Sequence, residues 1–301
     1  MASIMETSAW AQHTTLRGIH AIIFDGWQQR EGKGRIIFNT YDSDQYREHV
    51  QTVGGAGVMT EVAEGQGLTY VSLTEGFQTT FTHVDYGTGM RLTRRMFRED
   101  LYGTMEKQAD ELGRMAVATE ETVLSNHLNN GFDSDFTGYD GVELFSTAHV
   151  REDGSTYANE LSSAADLSQT SLEQALIDFS DFRDGGGKRL MIEPKLLVVP
   201  KELRFEAHRY LKSMYSPEND SNASNPLYDH LEPCVWNYLT DTDAWFIAAD
   251  KSDHELRLYD RERPWADYEV EFETKDHKVS LMYSQSSGWG DARGIFGSPG
   301  V

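Results

Sequence analysis

Cysteine is almost missing from this chain. Cys234 stands alone, which excludes an intrachain disulfide framework and a cysteine-based zinc site. Set between Pro233 and Val235, it reads as a small buried hydrophobe. Basic residues are also scarce: 27 Lys and Arg face 49 Asp and Glu, a net charge of −22. That balance excludes a protein that grips nucleic acid through its phosphates, because each such contact needs a cation. It implies a soluble, self-repelling surface. No apolar run approaches the ~18 residues of a membrane span. The opening MASIMETSAWAQHTTLRG lacks the charged-then-apolar order of a signal peptide. The chain therefore reads as a soluble protein made in a cytoplasm, where the sequon Asn222-Ala223-Ser224 has no role in glycosylation.

Catalytic patterns are lacking too. Ser146 and His149 lie close together, but no Gly-x-Ser-x-Gly elbow surrounds them. A hydrolase built on that pair is the enzymatic alternative, and His149 reads better as a packing or turn residue. No His-Glu-x-x-His run occurs. Asp133, Asp135 and Asp140 lie near Gly138 and Gly141, but their spacing departs from a calcium-binding loop. Asp184-Gly185-Gly186-Gly187-Lys188 and the glycines of VGGAGVMTEVAEGQG lack phosphate-loop spacing, so the latter stretch reads as a hinge. No catalytic residue, metal ligand or cofactor site is assigned.

What is present is a foldable composition, 39% hydrophobic over 301 residues. IHAIIFDGW suits a strand or short helix, and GRIIFNTYDSD a strand ending in an Asp-rich turn. LTYVSLTEGFQTTFTHV, Leu68 to Val84, is rich in strand formers, with Glu75-Gly76 at its centre. It is expected to fold as a hairpin about that turn, lying on its own domain or on a neighbouring chain. Leu101, Met105, Ala109, Leu112, Ala116, Val123 and Leu128 keep one helical face, which predicts a long amphipathic spine from about Arg98 to Asn129, stopped by Gly131. GVELFSTAHV suggests a short strand and turn. A second helix is expected after a Thr170–Glu173 capping box, ending at Gly185 to Gly187. Leu196 to Val199 form a buried strand, and Pro200 starts a third helix. CVWNYLTDTDAWFIAAD reads as a hairpin turning at Thr240–Asp243, and three or so further strands follow from His254 to Trp289. Helices mixed with antiparallel strands make an α+β protein.

The order of these features, and several stretches, resemble the major capsid proteins of tailed bacteriophages, which have the Hong Kong 97-type fold. GMRLTRRMFREDLYG is similar to the start of the family's spine helix. LFSTAHV with ANELSSAADLSQTSLEQAL, EPKLLVVPKELRFEAHRYLKS and NPLYDHLEPCVWNYLTDTDAWFIAAD resemble the branch of Mu-like head subunits. The likeness spans roughly residues 60 to 301 and is strongest from Gly141.

The resemblance implies a division into an N-terminal arm (1–60), an extended hairpin loop (61–95), a peripheral domain with the spine (96–169), an axial domain (170–260), and strands returning to the peripheral domain (261–301). It implies a structural subunit of an icosahedral shell around double-stranded DNA, located in the virion and assembled in the host cytoplasm. A nanocompartment shell of the same fold is the alternative. Implied partners are further copies in pentamers and hexamers, a separate scaffolding protein, a portal, a decoration protein, and packaged DNA held without sequence readout. No membrane is implied. Subunit contacts are expected at Leu68, Tyr70, Leu73, Phe77, Phe81, Arg91, Arg94, Arg95 and Arg98. Trp289, Arg293, Ile295 and Phe296 are expected to anchor the closing residues in the peripheral domain. Two departures from the best-known member stand out. The hairpin starts too early for a fused scaffolding segment of that member's kind, and Gln66–Arg95 contains no lysine for a covalent cross-link.

Overall fold

A computed structural model describes residues 21–27, 32–55, 58–68, 70, 75–99, 104–216 and 224–301. The spine is α4, Thr104–Asn129. Ala109, Leu112, Ala116, Leu124 and Leu128 are buried along it, spaced to keep one side of the helix facing inward. A shorter helix α3, Arg94–Glu99, precedes it, so helix begins earlier than the apolar period alone implies. The segment 21–27 is helical (α1) and crosses the spine at Gly113. A β-carbon there would come within 2.4 Å of the Ile23 carbonyl oxygen, so only glycine lets the two backbones approach.

Two four-stranded sheets flank the spine. In the first, β1 (Asn39–Asp42) runs parallel to β10 (Leu256–Val270), which pairs antiparallel with β11 (His277–Trp289), and β11 with β4 (Val84–Leu92). The expected three or so strands after His254 are thus two long ones, with register shifts at Asp260, Glu262 and Trp265 taking up the irregular middle. In the second sheet the order is β12 (Ile295–Ser298), β9 (Trp245–Ala249), β7 (Pro194–Val199), β8 (Glu232–Val235). Thr240–Asp243 therefore does not close a hairpin: β7 lies between β8 and β9, parallel to one and antiparallel to the other. The unbroken apolar run Leu196–Val199 of β7 has its cause here, since these four residues are covered on both faces.

Strand alternation divides the apolar side chains between cores. Leu197, Val199, Trp245, Ile247 and Phe296 face α5 (Gln169–Phe179) and α6 (Arg204–Lys212). Leu196, Val198, Phe246, Ala248 and Ile295 face Leu124 and Leu128 of the spine, with Phe38, Phe145 and Trp236. A third core joins Ala109, Leu112 and Ala116 of the spine to Leu92, Val279, Leu281 and Tyr283 and to Ile23.

Several local readings are corrected. β3, Glu75–Thr82, runs through Glu75-Gly76 without turning and pairs with β2, Arg47–Val53. Gly76 serves a close cross-strand approach instead: a β-carbon there would lie 2.3 Å from Thr52 Oγ1. The extended hairpin is therefore β2–β3, and its connection contains the glycine-rich hinge. GRII is helical (α2, Gly34–Ile37) because Glu121 accepts hydrogen bonds from the Lys33 and Gly34 amides. Helix α5 is capped by Ser168 with Ser171, not by Thr170. Residues 201–203 form a turn after Pro200, and α6 starts only at Arg204. In GVELFSTAHV only His149–Val150 is strand (β5), paired with β6, Thr156–Tyr157.

Candidate assembly surface

The β2–β3 ladder lies against its own chain from base to end: beyond Val53, Gly54 is buried and a β-carbon on Gly55 would meet the Asp184 carboxylate. At its base Phe81 is buried, its ring centroid 5.2 Å from that of Tyr259. Ser43 Oγ donates to Glu48 at 2.5 Å. Between β3 and β4, His83 spans Ser43 Oγ at 3.3 Å and Ser286 Oγ at 3.1 Å. Burial, followed by nearby Arg261, lowers the His83 pKa. Further out, Phe77 packs on Tyr139 with centroids 5.3 Å apart. Beyond the ladder every described residue from 58 to 68 is exposed. Among them Met59 is 101% and Val58 74% exposed, and Tyr70 reaches 93%. Leu68 is exposed with them, while Leu73 lies outside the described residues. Large apolar side chains grouped on a projecting hairpin are the kind of patch that marks an interface.

The arginines divide. Arg91 is engaged in its own chain by Asp276 at 2.8 Å and Glu271 at 3.3 Å. Arg95 has one exposed partner, Glu99, a turn ahead. The Arg94 amide donates to Asp276, and its exposed side chain makes no ion pair among the described residues. The Arg98 side chain lies outside the described residues.

The closing stretch is packed into the chain itself. Ile295 and Phe296 are buried in the second and first cores. Trp289 packs against the second core, edge-on to His127. Arg293 is held by Asp291 and by Glu152 at 3.0 Å, and also donates to the Arg183 carbonyl oxygen. Burial works against that guanidinium, and Asp291 and Glu152 outweigh it, raising its pKa. Gly294 sits at φ +85° with its β-carbon position 2.5 Å from the Asp253 carbonyl oxygen, a turn only glycine makes without strain. The resemblance assigned these residues to the spine's domain. Trp289 ends β11, in the sheet that holds β4, whereas Ile295 and Phe296 lie on β12, which pairs with β9 in the sheet built from the 170–260 region.

Ser146 and His149 do not form a catalytic pair. His149 is fully buried, with Nδ1 2.6 Å from Asp140 and Nε2 facing the Leu144 carbonyl oxygen at 3.2 Å. Both nitrogens face acceptors, so neither is placed to take a proton from Ser146. Asp140 is thereby committed to His149, and Asp133 accepts from the Asp135 amide. Among the described residues no group of candidate ligands could hold a metal.

Sequence reasoning missed a polar bolt in the spine. Glu121 is buried and accepts from the Trp236 indole at 2.7 Å as well as from the α2 amides. Its neighbour Glu120 and Asp260 grip Arg35 at 2.6 and 2.8 Å. Burial opposes the Arg35 charge, and the two carboxylates outweigh it, raising its pKa. The available signal was a pair of adjacent acids set within the spine's apolar period.

A projecting hairpin, a long spine and two sheets sharing its flanks form the frame of a shell subunit. A family model described as phage capsid protein matches residues 76–297, well over half of the chain. The chain belongs to the phage capsid protein family. Solved structures agree on the fold. The capsid of bacteriophage JBD30 decorated with minor capsid protein trimers is 16% identical, covers 70% of this chain and 92% of its own, and superposes with a TM-score of 0.55. The capsid of Ralstonia phage GP4 covers 89% of this chain and 88% of its own at 10% identity and a TM-score of 0.59. A virus-like particle from Pyrococcus furiosus covers 94% and 98% at 11% identity and 0.55. No curated protein matches at the level of sequence. The mixed helix-and-sheet architecture is that of these phage capsids, consistent with the Hong Kong 97-type fold.

Proposed function

We propose that this capsid protein is the major head subunit of a tailed phage, assembling with copies of itself into an icosahedral shell around double-stranded DNA. The observation that carries self-assembly is the hairpin, whose end exposes Val58, Met59, Leu68 and Tyr70 clear of their own chain. Such side chains are stabilised by burial against a neighbour, at about 25 cal/mol for each Å² of apolar surface removed from water. The role is structural rather than enzymatic. With −22 net charge the shell would repel the packaged genome and let it slide. No helix among the described residues is long and apolar enough to cross a membrane. Scaffolding, portal and decoration proteins are the further partners in this reading, and the Mu-like head subunits its nearest branch. Shells would assemble in the host cytoplasm and end in the virion.

The likeness to the Pyrococcus virus-like particle supports a second reading, a nanocompartment shell. Electron microscopy of particles carrying this chain, with extraction of nuclease-protected nucleic acid, decides between them. Closed shells holding double-stranded DNA are expected. Closed shells around a protein cargo favour the second reading, and absence of shells overturns both.

A further inference from the structure

Two glycine-rich stretches of the sequence meet in the structure: Gly54-Gly55, just beyond β2, and Asp184-Gly185-Gly186-Gly187-Lys188. We propose that the 184–188 turn is a fixed rest on which the β2–β3 hairpin of the same chain leans. On the self-assembly reading, this contact sets the direction of the hairpin and with it the curvature of the shell.

The turn is rigid on its own account. Asp184 is buried, and its Oδ1 accepts from the Gly186 amide at 3.0 Å and the Lys188 amide at 2.8 Å. A carboxylate bonded in this way to the amide two residues on closes an Asx turn. The Asp184 amide donates to the Lys188 carbonyl oxygen at 2.8 Å, and Lys188 Nζ lies 3.6 Å from Oδ2. From behind, Arg293 donates to the Arg183 carbonyl oxygen at 3.3 Å and to Glu152 at 3.0 Å. Gly185 is buried against that same Glu152, and a β-carbon on it would lie 2.5 Å from Oε2.

The hairpin comes down on this rest with no room left. A β-carbon on Gly55 would lie 2.2 Å from both Cγ and Oδ2 of Asp184. Gly55 does not have positive φ, so close approach rather than a left-handed turn is what requires glycine there. On the other strand, Phe77 leans on Tyr139, whose hydroxyl donates to Asp291, and Asp291 in turn holds Arg293. Both strands of the hairpin therefore bear on groups that Arg293 secures. The ladder begins where Arg47 pairs with Thr82. At about 3.3 Å per residue Gly55 lies about 25 Å from that base, so relieving a β-carbon contact to about 3.5 Å tilts the hairpin by about 3°. A closed shell repeats the same contact at every subunit, so such a tilt accumulates around the shell instead of averaging out.

Two experiments test the proposal, one on each of its halves. In the unassembled subunit, Gly55→Cys with Asp184→Cys brings two β-carbons close enough to bond after a small shift, since a disulfide spans roughly 3.5–4.5 Å between them. Oxidation should give an intrachain disulfide, seen as a mobility shift that reduction abolishes and that neither single variant shows. No disulfide in the double variant overturns the contact, whether or not the chain forms shells. For curvature, Gly55→Val is compared with Gly67→Val, whose β-carbon position has nothing within 4 Å. Both variants should keep the circular dichroism spectrum of the unaltered subunit. Electron microscopy should show the yield of shells of the unaltered diameter falling at least tenfold for Gly55→Val, with open or differently sized particles in their place, and unchanged for Gly67→Val. Gly185→Ala, which pushes the rest from the Glu152 side, should give the same defect and covers the case in which Gly55→Val does not fold. Shells of normal diameter and yield from the folded variants, or the same defect from Gly67→Val, overturn the role in curvature while leaving the capsid reading intact. Failure of the unaltered chain to form shells overturns the role in curvature together with the capsid reading.

Discussion

Replacing Glu121 by alanine separates three parts of the subunit at one point. The carboxylate accepts from the Gly34 amide at 2.8 Å, the Lys33 amide at 3.1 Å and the Trp236 indole at 2.7 Å. It thereby ties α2 and the residue after β8 to the middle of the spine. Gly34 and Trp236 are buried, so their donors cannot turn to bulk water. Each buried donor left without an acceptor costs about 1–3 kcal/mol, and bonds to a charged acceptor lie toward the top of that range. Lys33 is exposed and recovers part of its loss through water. The expected destabilisation is about 3–6 kcal/mol, a large share of a typical domain's stability. Glu121→Gln keeps one acceptor oxygen but turns an NH2 toward the remaining donors, so about half that loss is expected. Urea titration of the unassembled subunit, followed by circular dichroism and tryptophan fluorescence, measures both. Losses within about 1 kcal/mol of wild type for Glu121→Ala would refute the account of Glu121 as the bolt.

Three further outcomes are expected. His254 is buried, Nδ1 accepts from the Leu256 amide, and burial, then Lys251, pushes its pKa down to about 4. Its neutral form is favoured on folding, so stability is held above about pH 6.5 and falls by up to about 3 kcal/mol as pH drops toward 4; thermal melts of His254→Leu should show a shallower acid slope, and an unchanged slope refutes the assignment. Boiled, reduced shells should run as one band near 34.1 kDa, because no lysine lies anywhere between Lys33 and Lys107, and a ladder of linked species refutes this. Arg94→Glu with Arg95→Glu should leave the circular dichroism spectrum intact and lower shell yield in sedimentation; since Arg91 is already engaged by Asp276, Arg91→Glu should in addition lower the subunit's melting temperature, and equal behaviour of the two sets contradicts the division.

The spine was legible from the 3.6-residue period the helical backbone enforces, the buried strand β7 from an unbroken apolar run that only two-sided burial explains, and the α+β class from the two kinds of signal together. Pairing partners were not. Cys234–Val235 and Trp245–Ala249 are neighbours in sequence with turn residues between them, but β7, remote in sequence, lies between their strands and pairs with both. Ile295 and Phe296 announced an anchored stretch without saying to what, since adjacent residues of a strand point to opposite faces and here enter two different cores.

The hairpin shows why a local signal misplaces a surface. Glu75-Gly76 has the composition of a turn, yet no positive φ occurs at Gly76. Glycine is also favoured where a neighbouring backbone comes too close for a β-carbon, and Thr52 does so. The two causes leave the same mark in a sequence. Reading it as a turn hid the true partner β2 and classed the connection as a hinge. The exposed Val58, Met59 and Val62 were passed over with it. Apolar residues in a glycine-rich connection have no core of their own to join, so their presence is itself the signal of a surface completed by another molecule. Leu68 and Tyr70, at the far side of the same connection, follow the same logic.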